Sequence, residues 1–225
     1  MNRTRTSDQL LYRIIPFNRL VQMLKANEWH FAHPSEWDDP YETLITSALS
    51  DALFAQCWCR KGVSDAMWRI YSQDKVGVRI RTTKQKLQSA LFASNAFLQG
   101  DMGFRIANVK YLNELAYIRQ EARIQTDMEK RPTFVRASAH LFLKRLAFEH
   151  EAETRVVVFD TRQSFESKAM KVKLDSRQLI DSVLVDPRAP EEFVEAYRHY
   201  LKVKLGYTGS VKKSSLYRTY QSRES

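Results

Sequence analysis

The sequence predicts an α+β fold, with helices flanking a mixed or antiparallel sheet in a single domain over residues 1–225. Three observations predict it. Short runs of β-branched and aromatic residues recur along the chain, as in Leu10–Ile15 and again at 156–159. Stretches with the spacing of amphipathic helices lie between them. Six glycines and six prolines punctuate these segments, with no internal repeat and no low-complexity linker.

The elements read in order as follows. Residues 1–9 form a polar arm. Leu10–Ile15 is a short apolar strand stopped by Pro16. Asn18 caps a helix with Leu20, Val21, Met23 and Leu24 on its apolar side, ending near Asn27. A second strand at 29–32 precedes the turn-rich segment Pro34-Ser35-Glu36-Trp37-Asp38-Asp39-Pro40. A helix over 42–49, a strand over 54–59 and a helix over 65–71 capped by Ser64 come next. Residues 77–81 alternate as a half-buried strand should. A helix over 84–91, a loop containing Gly100 and Gly103, and a strand over 107–111 follow. The span 114–146 reads as mainly helical, interrupted by Pro132. Strands at 149–159, 170–174 and 182–185 precede a last helix that Pro190 opens and Leu205 ends. Glu191 and Glu192 suit its positive first turn.

Composition sets broad limits. With 44% hydrophobic residues, including 12 Phe, 10 Tyr and 4 Trp, the chain can bury a core rather than stay disordered. No apolar run approaches a bilayer span, and the opening residues lead into no signal-peptide core, so a cytoplasmic protein is expected. Cys57 and Cys59 fit a reducing compartment. No P-loop, no G-x-G-x-x-G and no G-x-S-x-G elbow occurs. His30 and His33 near Cys57 and Cys59 lack a zinc-knuckle spacing, and no metal site is expected.

Net charge is +10, and it is uneven: residues 202–225 carry six Lys or Arg against one acid, Glu224. Tyr207, Tyr217 and Tyr220 are interleaved with these cations. A basic, tyrosine-bearing end of this kind, with 206–225 as its C-terminal segment, can track a phosphate backbone and stack bases. The competing account is a solvated surface that keeps the protein soluble.

The most informative stretch is Glu149-His150-Glu151-Ala152-Glu153-Thr154-Arg155-Val156-Val157-Val158-Phe159. On an extended strand, side chains alternate faces, so Glu151, Glu153 and Arg155 project the same way. Two carboxylates and a guanidinium on one face form either a structural ion pair, with Arg155 forking one carboxylate, or a ligand or catalytic site.

Several motifs precede it in a fixed order: L-Y-R at 11–13, F-x-x-P-x-x-W-x-D-P-Y-E at 31–42, and C-W at 57–58. M-W-x-x-Y-x-x-x-x-x-G-V-x-I at 67–80 and K-R-x-x-F-x-x-E-x-E-x-R at 144–155 complete the set. This ordered set resembles the bacterial domain-of-unknown-function family 2971, with departures at Thr154 and Cys59. The layout of a first strand with Tyr-Arg, a helix, a short strand and a late Glu-x-Glu strand is also similar to ADP-ribosyltransferase-like folds.

That second resemblance implies an enzyme that splits the nicotinamide–ribose bond of NAD and modifies a macromolecular acceptor, as a toxin or defence effector would. It implies that Glu153 holds the ribose hydroxyl and stabilises positive charge. Arg13 would anchor ribose or phosphate, Tyr12 or Tyr71 would stack on nicotinamide, and Glu151 would orient or deprotonate the acceptor. Asp39, Trp68 and Arg155 complete the expected NAD-binding set, and Arg13 and Glu153 are expected to share one pocket. Two other classes stay open. Asp39, Glu42, Glu151 and Glu153 could gather a divalent ion for a nuclease, or residues 202–225 could serve a non-catalytic nucleic-acid binder.

Overall fold

A computed structural model of the chain describes residues 8–43, 49–98, 102–160 and 168–219. Residues 1–7 of the expected polar arm, 44–48 of the expected helix, Gly100, and Tyr220, Arg223 and Glu224 of the basic end lie outside them. The described strands are β1 (Leu10–Ile15), β2 (Glu28–Ala32), β3 (Leu53–Cys59), β4 (Val78–Thr83), β5 (Met102–Asn108), β6 (Lys110–Leu112), β7 (Leu143–Arg145), β8 (Glu153–Asp160), β9 (Ala169–Lys173), β10 (Ser182–Val185) and β11 (Ser210–Lys213). The fold is α+β with mixed strand pairing, as expected. The chain divides into two compact units, one of residues 1–28, 61–87 and 174–225, the other of 29–60 and 88–173.

In the first unit the strand order is β11-β10-β4-β1. β1 and β10 both run antiparallel to β4, whereas β11 is parallel to β10. Alternation along β4 buries Val78, Ile80 and Thr82 and leaves Arg79 and Arg81 on the other face. The first helix, Phe17–Ala26, buries Leu20, Met23 and Leu24; Pro16 rather than Asn18 is its N-cap, and left-handed Asn27 ends it. Ser64 caps the helix Asp65–Tyr71 by accepting from the Met67 amide, as expected. Gly62 lies against Tyr12 so closely that a Cβ there would sit 2.9 Å from its ring. The last helix, Glu191–His199, continues as a π-turn over Tyr200–Lys204.

Among the described residues, the basic end includes strand β11. β11 was not foreseen; it pairs with β10 and buries Val211. Tyr207 is 1% exposed and donates its hydroxyl to the Ile180 carbonyl, so it belongs to the core and is not a base-stacking residue. Lys202 donates to the Thr208 and Gly209 carbonyls, Lys213 pairs with Glu191, and the Tyr217 hydroxyl bonds Asp65.

The second unit has the order β5-β8-β3-β2-β9, with β8 antiparallel to both neighbours, and a separate parallel pair β6-β7. With a partner on each side, β8 satisfies its backbone through the sheet, and Val156, Val157 and Val158 are all buried. Burying each such side chain contributes roughly 1.5–3 kcal/mol. The helix Glu114–Lys130 turns Tyr117, Ile124 and Met128 into a core with Leu141, Phe142, Leu143 and Val157.

Three expectations are corrected here. The span over 114–146 is helical over Glu114–Lys130, Phe134–Ala137 and the 3-10 segment His140–Phe142, interrupted around Pro132 as expected, but it closes in strand β7 rather than in helix. The loop expected around Gly103 is strand β5. The acidic strand starts at Glu153, because residues Leu146–Glu151 form a 3-10 turn. Among the described residues, no helix is long and apolar enough to cross a membrane.

Candidate functional site

The second unit gathers five buried charges at the start of β8. Glu153 and Arg155 share a strand face, as alternation requires, and both are at most 4% exposed. Glu151 reaches them differently from the expectation. Ala152 takes a left-handed conformation (φ 46°, ψ 53°) between the 3-10 turn and the strand. This conformation is sparsely populated for a residue with a Cβ and must be held by its surroundings. Arg60 holds it, donating both its amide and its Nε to the Ala152 carbonyl at 3.0 Å. Tyr111 fixes the next residue, its hydroxyl accepting from the Glu153 amide at 2.7 Å.

Two cations join the carboxylates. Lys144 on β7 donates to Glu151 Oε2 at 2.6 Å and to Glu153 Oε1 at 2.9 Å. Arg155 donates through Nε to Glu153 Oε2 at 2.5 Å, through Nη1 to the Leu141 carbonyl at 2.7 Å, and through Nη2 to Glu42. Trp37 lies under its guanidinium, 4.5 Å from carbon to ring centroid. Asp39 pairs with Arg145 at 3.0 Å, and Tyr41 lies 4.2 Å from that guanidinium. The W-x-D-P-Y-E motif therefore clamps two arginines: Trp37 and Glu42 hold Arg155, while Asp39 and Tyr41 hold Arg145. Phe148 faces both Lys144 and Arg145, at 4.7 and 5.3 Å.

The arrangement splits the two neighbouring glutamates. Burial pushes Glu151 up to about 7, helped by its hydrogen bond to Glu153 and offset in part by Lys144. Burial would raise Glu153 as well, but Arg155, the hydrogen bond with Glu151 and Lys144 outweigh it and hold Glu153 well below the usual carboxylate range. Glu153 sits between two cations and Glu151 touches one, so the shared proton resides on Glu151. With that proton on, three carboxyls and two cations balance to zero charge. Burial also raises Glu42 against Arg155 and Lys144, and lowers His140 to about 4.

A stability signature follows. Glu151 has a folded pKa above its unfolded value near 4.5. Its contribution is therefore complete below pH 4.5 and is lost as pH rises through about 7. Glu153, with a depressed pKa, contributes above pH 4.5 and loses that contribution in acid. Wild-type melting temperature is expected to fall between about pH 5 and pH 7, and Glu151→Gln to flatten that fall. An unchanged slope in the variant would remove Glu151 as the titrating group.

Of the expected site residues, Asp39, Glu151, Glu153 and Arg155 are placed in this region of the second unit, with Glu151 and Glu153 in direct contact and Asp39 three residues from Glu42. Tyr12 and Arg13 lie on β1 of the first unit, where Arg79 covers the Tyr12 ring at 4.8 Å. Tyr71 ends a helix of that unit and is half-exposed. Trp68, on the same helix, is 1% exposed. Lys144, Arg145, Trp37 and Tyr41 received no role from the sequence, although all stand in the quoted motifs. A divalent ion at Asp39, Glu42, Glu151 and Glu153 would have to displace the cation that each already pairs with. Among the described residues no group of three or more His, Cys, Asp and Glu is arranged to hold a metal.

The family model for "Protein of unknown function (DUF2971)" matches residues 67–156. That span includes the whole K-R-x-x-F-x-x-E-x-E-x-R motif. Among curated proteins, none matches the chain. Among solved structures, "Thermus sp. 2.9 DarT in complex with NAD+" is similar at 13% identity and TM-score 0.45, covering 94% of this chain and 98% of that one. The same protein "in complex with ADP-ribosylated ssDNA" gives 13% identity and TM-score 0.45, covering 96% and 98%.

Proposed function

We propose that the chain is an ADP-ribosyltransferase-like enzyme that breaks the nicotinamide–ribose bond of NAD and passes ADP-ribose to a macromolecular acceptor. The observation that carries this reading is the split glutamate pair. Neighbouring carboxyls whose surroundings drive their pKa values apart mark an acid–base division of labour. Glu153 stays ionised and suits the developing positive charge of an oxocarbenium-like transition state. As the bond from C1′ to the pyridinium nitrogen breaks, its electron pair leaves with nicotinamide. The acceptor's nucleophile then bonds C1′ and gives its proton to Glu151, which is poised near neutrality to take it. Arg155 and Lys144 act as positioning residues that keep Glu153 charged. Lys212 and Arg218 keep a nucleic-acid acceptor within this proposal, since both add to the basic end.

One observation favours a second reading. Both oxygens of Glu153 are already engaged, which is also what a structural strut would show. Nicotinamide release from NAD separates the two. Release is expected to rise with pH through about 7, as Glu151 loses its proton and becomes able to accept one. No release at any pH would leave the strut as the account of this cluster.

A further inference from the structure

Beside the five-charge cluster, Asp39 and Arg145 form a pair that is only half used. Asp39 Oδ1 accepts from Arg145 Nη2 at 3.0 Å and from the Tyr41 amide at 3.2 Å. Asp39 Oδ2 and Arg145 Nε are both buried and make no hydrogen bond. The Asp39 side chain is 6% exposed, so its second oxygen cannot simply turn to solvent, whereas Arg145 keeps about a third of its surface outside. Buried polar atoms without partners are costly, and this ion pair leaves one acceptor and one donor unused. Tyr41 and Phe148 border the pair with ring faces. Both backbone segments also serve the cluster, since Arg145 follows Lys144 and Asp39 precedes Glu42 by three residues.

The complementary ligand must bring one donor and one acceptor. A lone anion would meet the Asp39 carboxylate, and a lone cation would meet the guanidinium. A neutral primary carboxamide meets neither obstacle: its N–H donates to Asp39 Oδ2 and its carbonyl accepts from Arg145 Nε. We infer that Asp39 and Arg145 recognise the carboxamide of nicotinamide, placing the leaving group of NAD next to the glutamate pair. This rests on the reading of the chain as an NAD-cleaving enzyme, and it assigns Arg145, Tyr41 and Phe148 a binding role.

The test is titration calorimetry of the full chain with nicotinamide and with nicotinic acid, without NAD. Nicotinic acid has the same ring but a carboxylate, which offers Asp39 no donor. Wild type is expected to bind nicotinamide at least about tenfold more tightly, because the acid leaves buried polar atoms unpaired. Asp39→Asn is expected to reverse the preference, since the Asn amide can donate to a carboxylate beside Arg145. Equal affinities, no binding of either compound, or an unchanged preference in a folded variant would overturn the site. If the variant does not fold, the wild-type comparison decides alone. A carboxamide preference without NAD cleavage keeps the site and removes the catalytic reading. NAD cleavage without the preference does the opposite.

Discussion

Arg155→Met is expected to destabilise the protein by about 3–5 kcal/mol, the usual cost of removing one partner from a buried ion pair. The guanidinium is 0% exposed and serves three acceptors: Glu153, Glu42 and the Leu141 carbonyl. Met replaces its volume but leaves Glu42 buried with its guanidinium partner gone and frees one oxygen of Glu153. Lys144 can take up part of the Glu153 charge and none of the Leu141 bond. Trp37 also loses a cation–π contact, roughly 0.5–2 kcal/mol. Arg155→Lys should fall in between, because a single ammonium cannot reproduce a planar fork aimed at three acceptors. Adding Glu42→Gln to Arg155→Met should recover part of the loss, since it removes the stranded charge. Urea unfolding of the set measures these differences. A loss below about 1 kcal/mol in Arg155→Met would mean that the cluster does not tie the loop at 37–42 to β8 energetically.

How far the sequence carried this picture depends on how local each signal was. The strands β1, β3, β4 and β10 and the capped helices follow from alternation, β-branched runs and an N-cap serine, all of which act within a few residues. β7 and β11 escaped because each is short and takes its identity from a partner strand remote in sequence, β6 at 110–112 and β10 at 182–185. The turn before β8 escaped for another reason. Left-handed Ala152 is set by Arg60, ninety-two residues away, and alanine itself gives no sign of a positive φ. The charges of the site were legible as residue types, while their pairing was not. W-x-D-P-Y-E and K-R-x-x-F-x-x-E-x-E-x-R each read as a concentration of acids, bases and aromatics. Only the fold reveals that the first motif clamps Arg155 and Arg145 while Lys144 in the second joins Glu151 to Glu153. Tyr207 misleads in the opposite sense, because a large aromatic reads alike in sequence whether it faces a ligand or fills a core.

Glu153→Gln is expected to lower the rate of nicotinamide release from NAD by roughly a hundredfold or more, the scale on which one lost electrostatic contact to a transition state is felt. Gln keeps the shape and one acceptor oxygen, but it carries no charge to oppose an oxocarbenium ion. The fold should survive, for a reason specific to this cluster. Once Glu153 is neutral, the repulsion that helps to keep the proton on Glu151 disappears, and Lys144 is left to Glu151 alone. Glu151 then ionises and restores the balance of charge that Glu153 supplied. The remaining cost is one amide N–H turned toward a cation, about 1–3 kcal/mol. Melting temperature and nicotinamide release, measured together on wild type, Glu153→Gln and Glu153→Asp, separate the readings. Asp retains the charge with a shorter reach, so it should keep the fold and some activity. Loss of release with a nearly intact melting temperature in Glu153→Gln supports the catalytic role. Release equal to wild type rejects Glu153 as the charge-stabilising group. A melting transition that collapses along with activity, and that Asp restores without restoring release, identifies the cluster as a strut joining β7, β8 and the loop at 37–42.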